Sequence, residues 1–579
     1  MRQRFLFLTF IMMVAVCVSI SGCSSNAKKV RGDEVYEQSS SQPTAKSLSE
    51  QVSEHLKTLT KSNSTTLNSV AGIRTSSTSR LVTHFYERRN YRPAWIDDNG
   101  ILLPQVDTLI KKIQEAGHEG LKPHDYHLTE INAELIEKYH NQIIQNPPNP
   151  VNLAKLDILL TDSFLLYSSH LLNGRINPQA VGVEWLIDHQ EPDLIAVLQT
   201  ALNFNQIEEN LNILLPQHPG YERLRHALQQ YKEIASKGGW PTVPAGTKMQ
   251  KGSQGERVAA LRARLIASGD LIEEPDENKN IFDGTLERAV RNFQRRHGLS
   301  VDGTVGPATL AELNVPVEQR IRQIEFNMER WRWLPQNLGQ RYIMVNIANF
   351  ELYAVENEQT WMTMRVVVGK PYWYTPMFSA EMTHLVLNPS WNIPDTIVLE
   401  EVASKIQEDP EYLSKQNIKV LQSWKGSAAE IDPKLVDWSK ITEQNFKYKL
   451  RQQPGPLNPL GQIKFMFPNP FNVYLHDTPF QHYFRRTKRI FSHGCIRVEK
   501  PIELAEYVLQ QDPRWTREKI RATMKKGITQ NVNLSEPVPV YLLYFTAWVD
   551  EDGTVQFRDD IYERDKALDE ALRGVLVAF

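Results

Sequence analysis

The spacing of apolar side chains divides the chain into a helical first part and a strand-rich last part. Between residues 66 and 240 apolar positions recur every three or four residues, and Asn173-Gly174 supplies a stop signal after the clearest run. That run contains Leu156, Leu159, Leu160, Phe164, Tyr167 and Leu171. The pattern predicts a mainly α-helical domain over 66–240.

A second helical segment covers residues 246–315. Two apolar stripes are separated by the turn Asp283-Gly284, and Pro307 stands where a third helix would begin, a position that favours proline. The stripes consist of Val258, Leu261, Leu265, Ala289, Val290 and Phe293, followed by Leu310 and Leu313. This segment is predicted to form a small three-helix bundle.

From about residue 320 the pattern changes to that of β-strands. β-Branched and aromatic residues separated by turn signals predict strands at 342–348, 350–355 and 361–368, and a hairpin formed by 540–549 and 554–558. Residues 397–452 interrupt this pattern with predicted helix and loop. Long insertions near active sites are often lids, so we expect a lid here. The alternative is an insertion that packs on the domain and takes no part in catalysis.

The N-terminus has the order of an export signal. Arg2 and Arg4 precede an apolar run that ends near Ile20 and is short for a membrane span, which needs ~20 apolar residues. We expect residues 1–22 to be removed. Residues 23–65 are rich in small and polar side chains and are predicted to form a flexible tether, with a loose helix near 48–59.

Charge and cysteine count narrow the chemistry. The chain of 579 residues has a net charge of −2 and no long basic run, so no nucleic-acid partner is expected. Of its three cysteines, Cys17 would leave with the signal and Cys23 would become the first residue of the mature chain. Cys495 would then be the one unpaired thiol in an oxidising compartment, where a spare thiol calls for a function.

Cys495 lies in a sequence that suits a nucleophile. It belongs to Ser492-His493-Gly494-Cys495-Ile496-Arg497, nineteen residues after His476. A neighbouring imidazole can generate the reactive thiolate, so we expect the two to titrate jointly with a thiol pKa well below the ~8.5 of free cysteine. Gly494 permits a tight turn, and the backbone N–H groups of Gly494 and Cys495 could stabilise an oxyanion.

These motifs resemble those of large, multi-domain L,D-transpeptidases of Gram-negative bacteria. Residues 89–95 resemble the entry motif of their scaffold region, and residues 293–303 resemble the peptidoglycan-binding type 1 pattern. The motifs at 366–371, 387–394, 460–469, 474–477 and 492–497 resemble the catalytic domain over 320–579. The resemblance implies a multidomain fold: a mostly α scaffold, a three-helix peptidoglycan-binding bundle, and a mainly β catalytic domain with a helical lid insertion.

The resemblance also implies a mechanism. Cys495 would attack the carbonyl of the third residue of a tetrapeptide stem, release D-alanine and form a thioester. His476 would act as the base, with its ring oriented by the backbone carbonyl of Asp477, and His493 would tune the site or shuttle protons. Arg497 would bind a stem carboxylate, or instead form a structural ion pair with Glu499. Further expected substrate contacts are Ser492, Asp477, Tyr474, Asn388 and Trp391.

Transfer of the acyl group to an acceptor amine would form a 3→3 cross-link, and the resemblance implies acylation by carbapenems. Three alternatives stay open: L,D-carboxypeptidase trimming, attachment or release of a lipoprotein on the wall, and a non-catalytic wall-binding lipoprotein. Sortases also use Cys, His and Arg, but the Ser-His-Gly-Cys order argues against them. No cofactor is expected, and no metal, since His118-Glu119 has Lys122 where a zinc helix needs a second histidine.

The expected location is the periplasm. Ile20-Ser21-Gly22-Cys23 resembles a lipobox, which implies lipidation of Cys23, and Ser24 at the next position favours the outer membrane; a plain signal peptide is the alternative. The expected partners are peptidoglycan stem peptides and glycan, and the membrane through the lipid anchor. Wall synthases and carboxypeptidases are further candidate partners.

Overall fold

The computed structural model describes residues 46–61, 76–132, 149–185, 192–272, 279–424 and 428–574. Residues from Ser47 onward form one compact unit. The predicted signal peptide and Cys23 lie outside the described residues. The helices of the first part and of the bundle are Leu48–Lys61, Ser76–Arg88, Gln105–Gln114, Pro150–Asn173, Leu194–Phe204, Ile207–Ile213, Pro219–Ser236, Glu256–Ala267, Gly284–Arg296 and Pro307–Leu313.

The scaffold is helical, as predicted, and is built around Pro150–Asn173. This helix is buried along most of its length and ends at Gly174. The helix Leu48–Lys61 inserts Val52 and Leu56 into the same core. The helix expected near 48–59 within the tether is present and packs in the scaffold core, because apolar residues at helical spacing give this segment a face to bury, and residues 62–65 lie outside the described residues.

The three-helix bundle is confirmed, and Pro307 lies in the first turn of its last helix. The bundle also packs on the strand-rich part of the chain. The ring of His297 stacks on Phe557 with 5.5 Å between centroids, and Arg558 donates a hydrogen bond of 3.0 Å to the carbonyl of Arg296. The bundle is thus joined to the last hairpin through buried side chains.

The helix Val317–Arg332 crosses the predicted domain boundary at 320. It buries Ile324, Met328 and Trp331 against the helix Pro219–Ser236. The first strand after this helix begins at Arg341. The strands predicted after residue 340 are confirmed, but the helix Val317–Arg332 was not predicted from its apolar stripe.

Sixteen strands lie in the described part of the chain. They are β1 (Val183–Trp185), β2 (Arg341–Asn346), β3 (Glu351–Glu356), β4 (Gln359–Gly369), β5 (Met377–Leu387), β6 (Trp391–Ile393), β7 (Ile418–Leu421), β8 (Glu430–Ile431), β9 (Lys449–Gln452), β10 (Ile463–Met466), β11 (Leu475–His476), β12 (Ile490–Ser492), β13 (Ile496–Val498), β14 (Gln530–Leu543), β15 (Ala547–Val549) and β16 (Val555–Phe557). The predicted strands near 342–368 are confirmed as β2, β3 and β4.

The main sheet closes on itself. Its order is β1-β5-β10-β11-β13-β4-β3-β2-β14, and β14 also pairs with β5. The ring therefore has a filled interior, which contains buried residues such as Val366, Leu385, Phe465 and Leu542. The predicted strand over 540–549 is divided in two, since β14 ends at Leu543 and β15 forms a separate hairpin with β16.

The insertion after β6 contains helix, as predicted, and also a small antiparallel sheet. Helical turns cover Asp395–Ile397, Val398–Val402, Ala403–Glu408 and Tyr412–Lys415. The sheet has the order β6-β9-β7-β8 and shares its own apolar core with these turns. The insertion is thus a folded subdomain. Two more helices, Pro501–Leu509 and Arg517–Lys525, cover the main sheet, and Arg564–Gly574 ends the described chain.

Within the described ranges, no helix is long and apolar enough to cross a membrane.

Candidate active site

The side chains of β11 and β13 alternate between a buried face and a polar face. Leu475 pairs with Ile496 in parallel register, and both lie fully buried in the interior of the ring. Because successive residues of a strand point to opposite faces, Tyr474, His476, Cys495 and Arg497 all lie on the other face. The strand register thus brings His476 and Cys495 together across nineteen residues of sequence.

The backbone of Asp477 orients the His476 ring, as the resemblance implied. The Nδ1 atom of His476 donates a hydrogen bond of 2.5 Å to the carbonyl oxygen of Asp477. The Asp477 carboxylate accepts bonds from the N–H groups of Gln462 at 2.8 Å and Thr478 at 2.7 Å. With the proton on Nδ1, the Nε2 atom of His476 is the free acceptor of the ring. The Asp477 side chain thus supports the backbone around His476, and its expected contact with substrate stays a prediction.

Burial shifts the pKa values of both His476 and Cys495. Burial lowers the pKa of His476 to about 3, with Arg497 and Lys464 acting in the same direction. Burial also raises the pKa of the Cys495 thiol, against the opposing effects of Tyr474 and of two nearby cations. Burial thus favours the neutral forms of both groups, and joint titration with a lowered thiol pKa stays a prediction.

Ser492 and Gly494 shape the turn that carries the nucleophile. The hydroxyl of Ser492 donates to the Cys495 carbonyl at 2.5 Å and accepts from the Gly494 N–H at 3.2 Å. Gly494 has φ of 107°, which favours glycine. Ser492 is buried and its expected role in substrate binding stays a prediction, while the Gly494 N–H already donates to the Ser492 hydroxyl. No acceptor for the Cys495 N–H occurs among the described residues.

Thr375 locks this turn from the β4–β5 connection and was not singled out from the sequence. Its hydroxyl donates to the Gly494 carbonyl at 2.8 Å and accepts from the Gly369 N–H at 3.0 Å. The Lys370 N–H donates to the Ser492 carbonyl at 3.0 Å. The sequence shows that Pro376 restricts the backbone after Thr375. It does not show which group the Thr375 hydroxyl would bind.

His493 contacts the insertion. Its Nε2 atom lies 2.8 Å from a carboxylate oxygen of Glu401, and its ring packs on Trp373 with 3.9 Å between centroids. Burial lowers the pKa of His493, and Glu401 acts against this. The imidazole of His493 thus connects the turn that carries Cys495 to the insertion.

Tyr474 and Trp391 both lie near the thiol, as expected for residues of the site. Burial raises the pKa of Tyr474, and the neighbouring Cys495 acts in the same direction while Trp391 opposes it. The thiol itself is half-buried and donates a weak hydrogen bond to the Asn472 carbonyl at 3.8 Å. Trp391 contacts Tyr474 from β6, the strand that pairs with β9 in the small sheet of the insertion.

Arg497 is not part of the predicted ion pair with Glu499, because Glu499 pairs with Arg365. The guanidinium of Arg497 lies over the rings of Phe480 and Tyr483, 5.8 and 5.7 Å from their centroids. Its Nε atom is buried without a hydrogen-bond partner. The structural alternative for Arg497 is therefore wrong, and the expected binding of an anion remains a prediction.

Asn388 is buried and hydrogen-bonded to backbone groups of the domain. Its side-chain amide donates to the carbonyls of Thr523 and Ile528, each at 3.2 Å, and the residue is buried. Both N–H groups of its amide are used internally, and its expected contact with substrate stays a prediction. The described chain contains no group of three His, Cys, Asp or Glu side chains that could hold a metal ion.

Three family models match successive parts of the chain. Residues 80–228 match a scaffold domain, residues 254–313 a peptidoglycan-binding domain, and residues 340–524 an L,D-transpeptidase catalytic domain. The chain therefore carries an L,D-transpeptidase catalytic domain behind a scaffold and a peptidoglycan-binding domain. The resemblance seen in the sequence is confirmed.

Curated relatives agree with these matches. The chain is 32% identical over 247 residues to a putative L,D-transpeptidase of Haemophilus influenzae, which covers 43% of this chain and 49% of the relative. It is 39% identical over 64 residues to an N-acetylmuramoyl-L-alanine amidase of Bacillus licheniformis, covering 11% of this chain and 18% of the relative. The chain thus spans about half of the first relative and about a fifth of the second.

Among solved structures, an L,D-transpeptidase from Xylanimonas cellulosilytica has 16% sequence identity and a TM-score of 0.18. The match covers 52% of this chain and 99% of that chain. At this score the superposition carries no argument.

Proposed function

We propose that this protein is a peptidoglycan L,D-transpeptidase with Cys495 as its nucleophile. The observation that carries the proposal is the shared sheet face of His476 and Cys495, with Nε2 left as the free acceptor of the imidazole. The L,D-transpeptidase catalytic domain supports this class of reaction, and the peptidoglycan-binding domain supports peptidoglycan as the partner.

In the first step the Cys495 sulfur attacks the carbonyl carbon of the third residue of a tetrapeptide stem. The imidazole of His476 is neutral near pH 7, so its Nε2 atom takes the thiol proton as the C–S bond forms. The C–N bond then breaks, and the proton passes from His476 to the amine of the departing D-alanine. The Cys495 N–H, which has no acceptor among the described residues, is the candidate donor to the oxyanion.

In the second step an acceptor amine attacks the thioester. His476 removes a proton from this amine and returns it to the sulfur as the C–S bond breaks, which forms a 3→3 cross-link. Water in place of the amine would give a trimmed tripeptide, the carboxypeptidase outcome. A protein amine as acceptor would give a wall-attached lipoprotein, and attack on such a linkage would release one.

The proposed role of the insertion is that of a lid over the thiol. Trp391 and Glu401 reach the site from its first turns, so closure would hold the stem and limit the entry of water. The domains suggest a cell-wall or periplasmic location. A lipid anchor on Cys23 belongs to the same proposal, and the intact mass of protein extracted from membranes tests it.

The test of function is incubation with disaccharide-tetrapeptide and mass spectrometry of the products. A dimer lacking one D-alanine is the expected product, with Cys495→Ala as the inactive control. A trimmed monomer alone would replace the transpeptidase with a carboxypeptidase. An identical product profile for the wild type and Cys495→Ala would contradict the proposal and favour a non-catalytic wall-binding protein.

A further inference from the structure

His476 stands between two cations in one row of the sheet. Lys464 of β10 pairs with His476 of β11 in antiparallel register, and His476 pairs with Arg497 of β13 in parallel register. Paired residues of neighbouring strands point to the same face, and neighbouring strands lie about 4.8 Å apart. The site face thus carries a positive side chain on each side of the imidazole.

The Tyr474 ring is the one contact that the structure gives the Lys464 ammonium group among the described residues. No hydrogen bond or ion pair of its ammonium group occurs in the described ranges, although the residue is half-buried. Its Nζ atom lies 3.8 Å from the centroid of the Tyr474 ring. A partly buried ammonium without a carboxylate is costly, so an anion that reaches it gains a strong interaction.

The ammonium group is directed toward the nucleophile. Tyr474 precedes β11 as Cys495 precedes β13, and the N–H of Ile496 donates to the Tyr474 carbonyl at 3.1 Å. Lys464 over the Tyr474 ring therefore lies on the Cys495 side of the His476 row. The attraction between Lys464 and Cys495 acts on both groups, which places the ammonium within electrostatic reach of the sulfur.

The donor of the proposed reaction presents an anion at this distance. In a tetrapeptide stem the residue after the attacked carbonyl is the last one, so its carboxylate carbon is three covalent bonds from the attacked carbon, within about 4 Å. A donor with one more residue, or with an amidated end, has a neutral amide there. The site can therefore distinguish the acid donor from the amide donors only if a cation near Cys495 binds the terminal carboxylate.

We propose that Lys464 binds the free terminal carboxylate of the donor stem and thereby selects tetrapeptide donors. This inference rests on the proposed transpeptidase function. Arg497, on the far side of His476, is held over Phe480 and Tyr483 and is the rival for the same carboxylate.

The test compares two donors on the full chain: disaccharide-tetrapeptide with a free C-terminus, and the same muropeptide with D-alaninamide at the end. The wild type is expected to prefer the acid in kcat/KM by about ten- to a hundredfold, the range of a charge-assisted hydrogen bond. Lys464→Met should remove this preference, with a loss in kcat/KM for the acid that exceeds the loss for the amide by about ten- to a hundredfold, because any effect of Lys464 on Cys495 is common to both donors. Lys464→Arg should restore part of the preference.

Equal losses on both donors in Lys464→Met would overturn the inference, because they would mean that Lys464 acts on Cys495 instead. A preference that survives in Lys464→Met but disappears in Arg497→Gln would also overturn it and assign the carboxylate to Arg497. Thermal unfolding of each variant confirms that it is folded, and Lys464→Gln replaces the methionine variant if that one is not. Failure of the wild type on both donors would instead overturn the proposed function.

Discussion

Glu401, in the insertion, lies 2.8 Å from His493, two residues before the nucleophile. The contact joins the first turns of the insertion to the turn that Ser492, Gly494 and Thr375 hold in place. Movement of the insertion and the position of Cys495 are therefore coupled through this hydrogen bond and through the packing of His493 on Trp373.

Glu401→Gln should loosen the insertion with little change in overall stability. Both side chains of the pair are partly exposed, and such pairs contribute about 0–1 kcal/mol. Faster amide hydrogen exchange over residues 398–408, with an almost unchanged melting temperature, is the expected result. Glu400→Gln is the matched control, because Glu400 is exposed and has no ion-pair partner among the described residues. Equal exchange in the two variants would contradict the role of Glu401.

The reactivity of Cys495 should increase with pH without a plateau near neutrality. Burial raises the pKa of the thiol, so the thiolate fraction keeps rising above pH 8. The rate of alkylation by iodoacetamide, followed by intact mass between pH 5 and 10, measures this directly against glutathione as a reference thiol. A plateau below pH 7 would instead reveal a preformed thiolate–imidazolium pair.

The fold should lose stability in mild acid through His476. Its pKa in the folded chain is about 3, below the ~6.5 of the unfolded chain. Between these values the unfolded chain binds a proton that the folded chain does not, so stability is full above pH 6.5 and falls toward pH 3. The free energy of unfolding in urea should fall by up to about 1.4 kcal/mol per pH unit from this residue.

His476→Gln should remove the part of the pH dependence of the unfolding free energy that His476 contributes. The control variant His226→Gln, at an exposed position, should leave that pH dependence intact. Burial also lowers the pKa of His170 to about 3 and of His218 to about 4, so a residual slope is expected in both variants. Identical slopes for His476→Gln and the wild type would show that the imidazole titrates normally in the folded chain.

Phe557→Ala should destabilise the junction between the bundle and the last hairpin. Phe557 is fully buried against His297, Tyr231 and Arg320. Loss of a buried phenylalanine costs about 3–5 kcal/mol, which urea denaturation measures. Ile528→Ala is the control, since Ile528 is 70% exposed. A loss below about 1 kcal/mol would mean that the bundle is not coupled to the hairpin.

The same junction changes what the removal of residues 246–315 can test. Because the bundle carries no nucleophile, its deletion would be expected to leave turnover of small soluble muropeptides intact. In the structure, however, deletion would expose Phe557 and remove the Arg296 carbonyl that accepts from Arg558, so a loss of activity would not isolate wall binding. Substitutions on the outer face of the bundle are the appropriate probe.

Local patterns predicted the three parts of the fold and the nucleophile, because each depends on short-range periodicity or a contiguous motif. The helix at Val317–Arg332 and the small sheet of the insertion were missed, since short strands such as β8 and β9 have weak local signals. Lys464 was missed for a different reason: only the pairing of β10 with β11 places it beside His476. The backbone hydrogen bonds of Asn388 and Ser492 were not foreseen, because a motif does not show whether its polar groups face substrate or backbone.

The covalent intermediate tests the central claim most directly. Disaccharide-tetrapeptide is mixed with the full chain, quenched in acid and measured by intact mass, with the modified peptide then identified. The account predicts a mass increase equal to the muropeptide minus D-alanine, located on Cys495, slowed by orders of magnitude in His476→Gln and absent in Cys495→Ala. An adduct that persists in Cys495→Ala, or one that forms at full rate in His476→Gln, would contradict it.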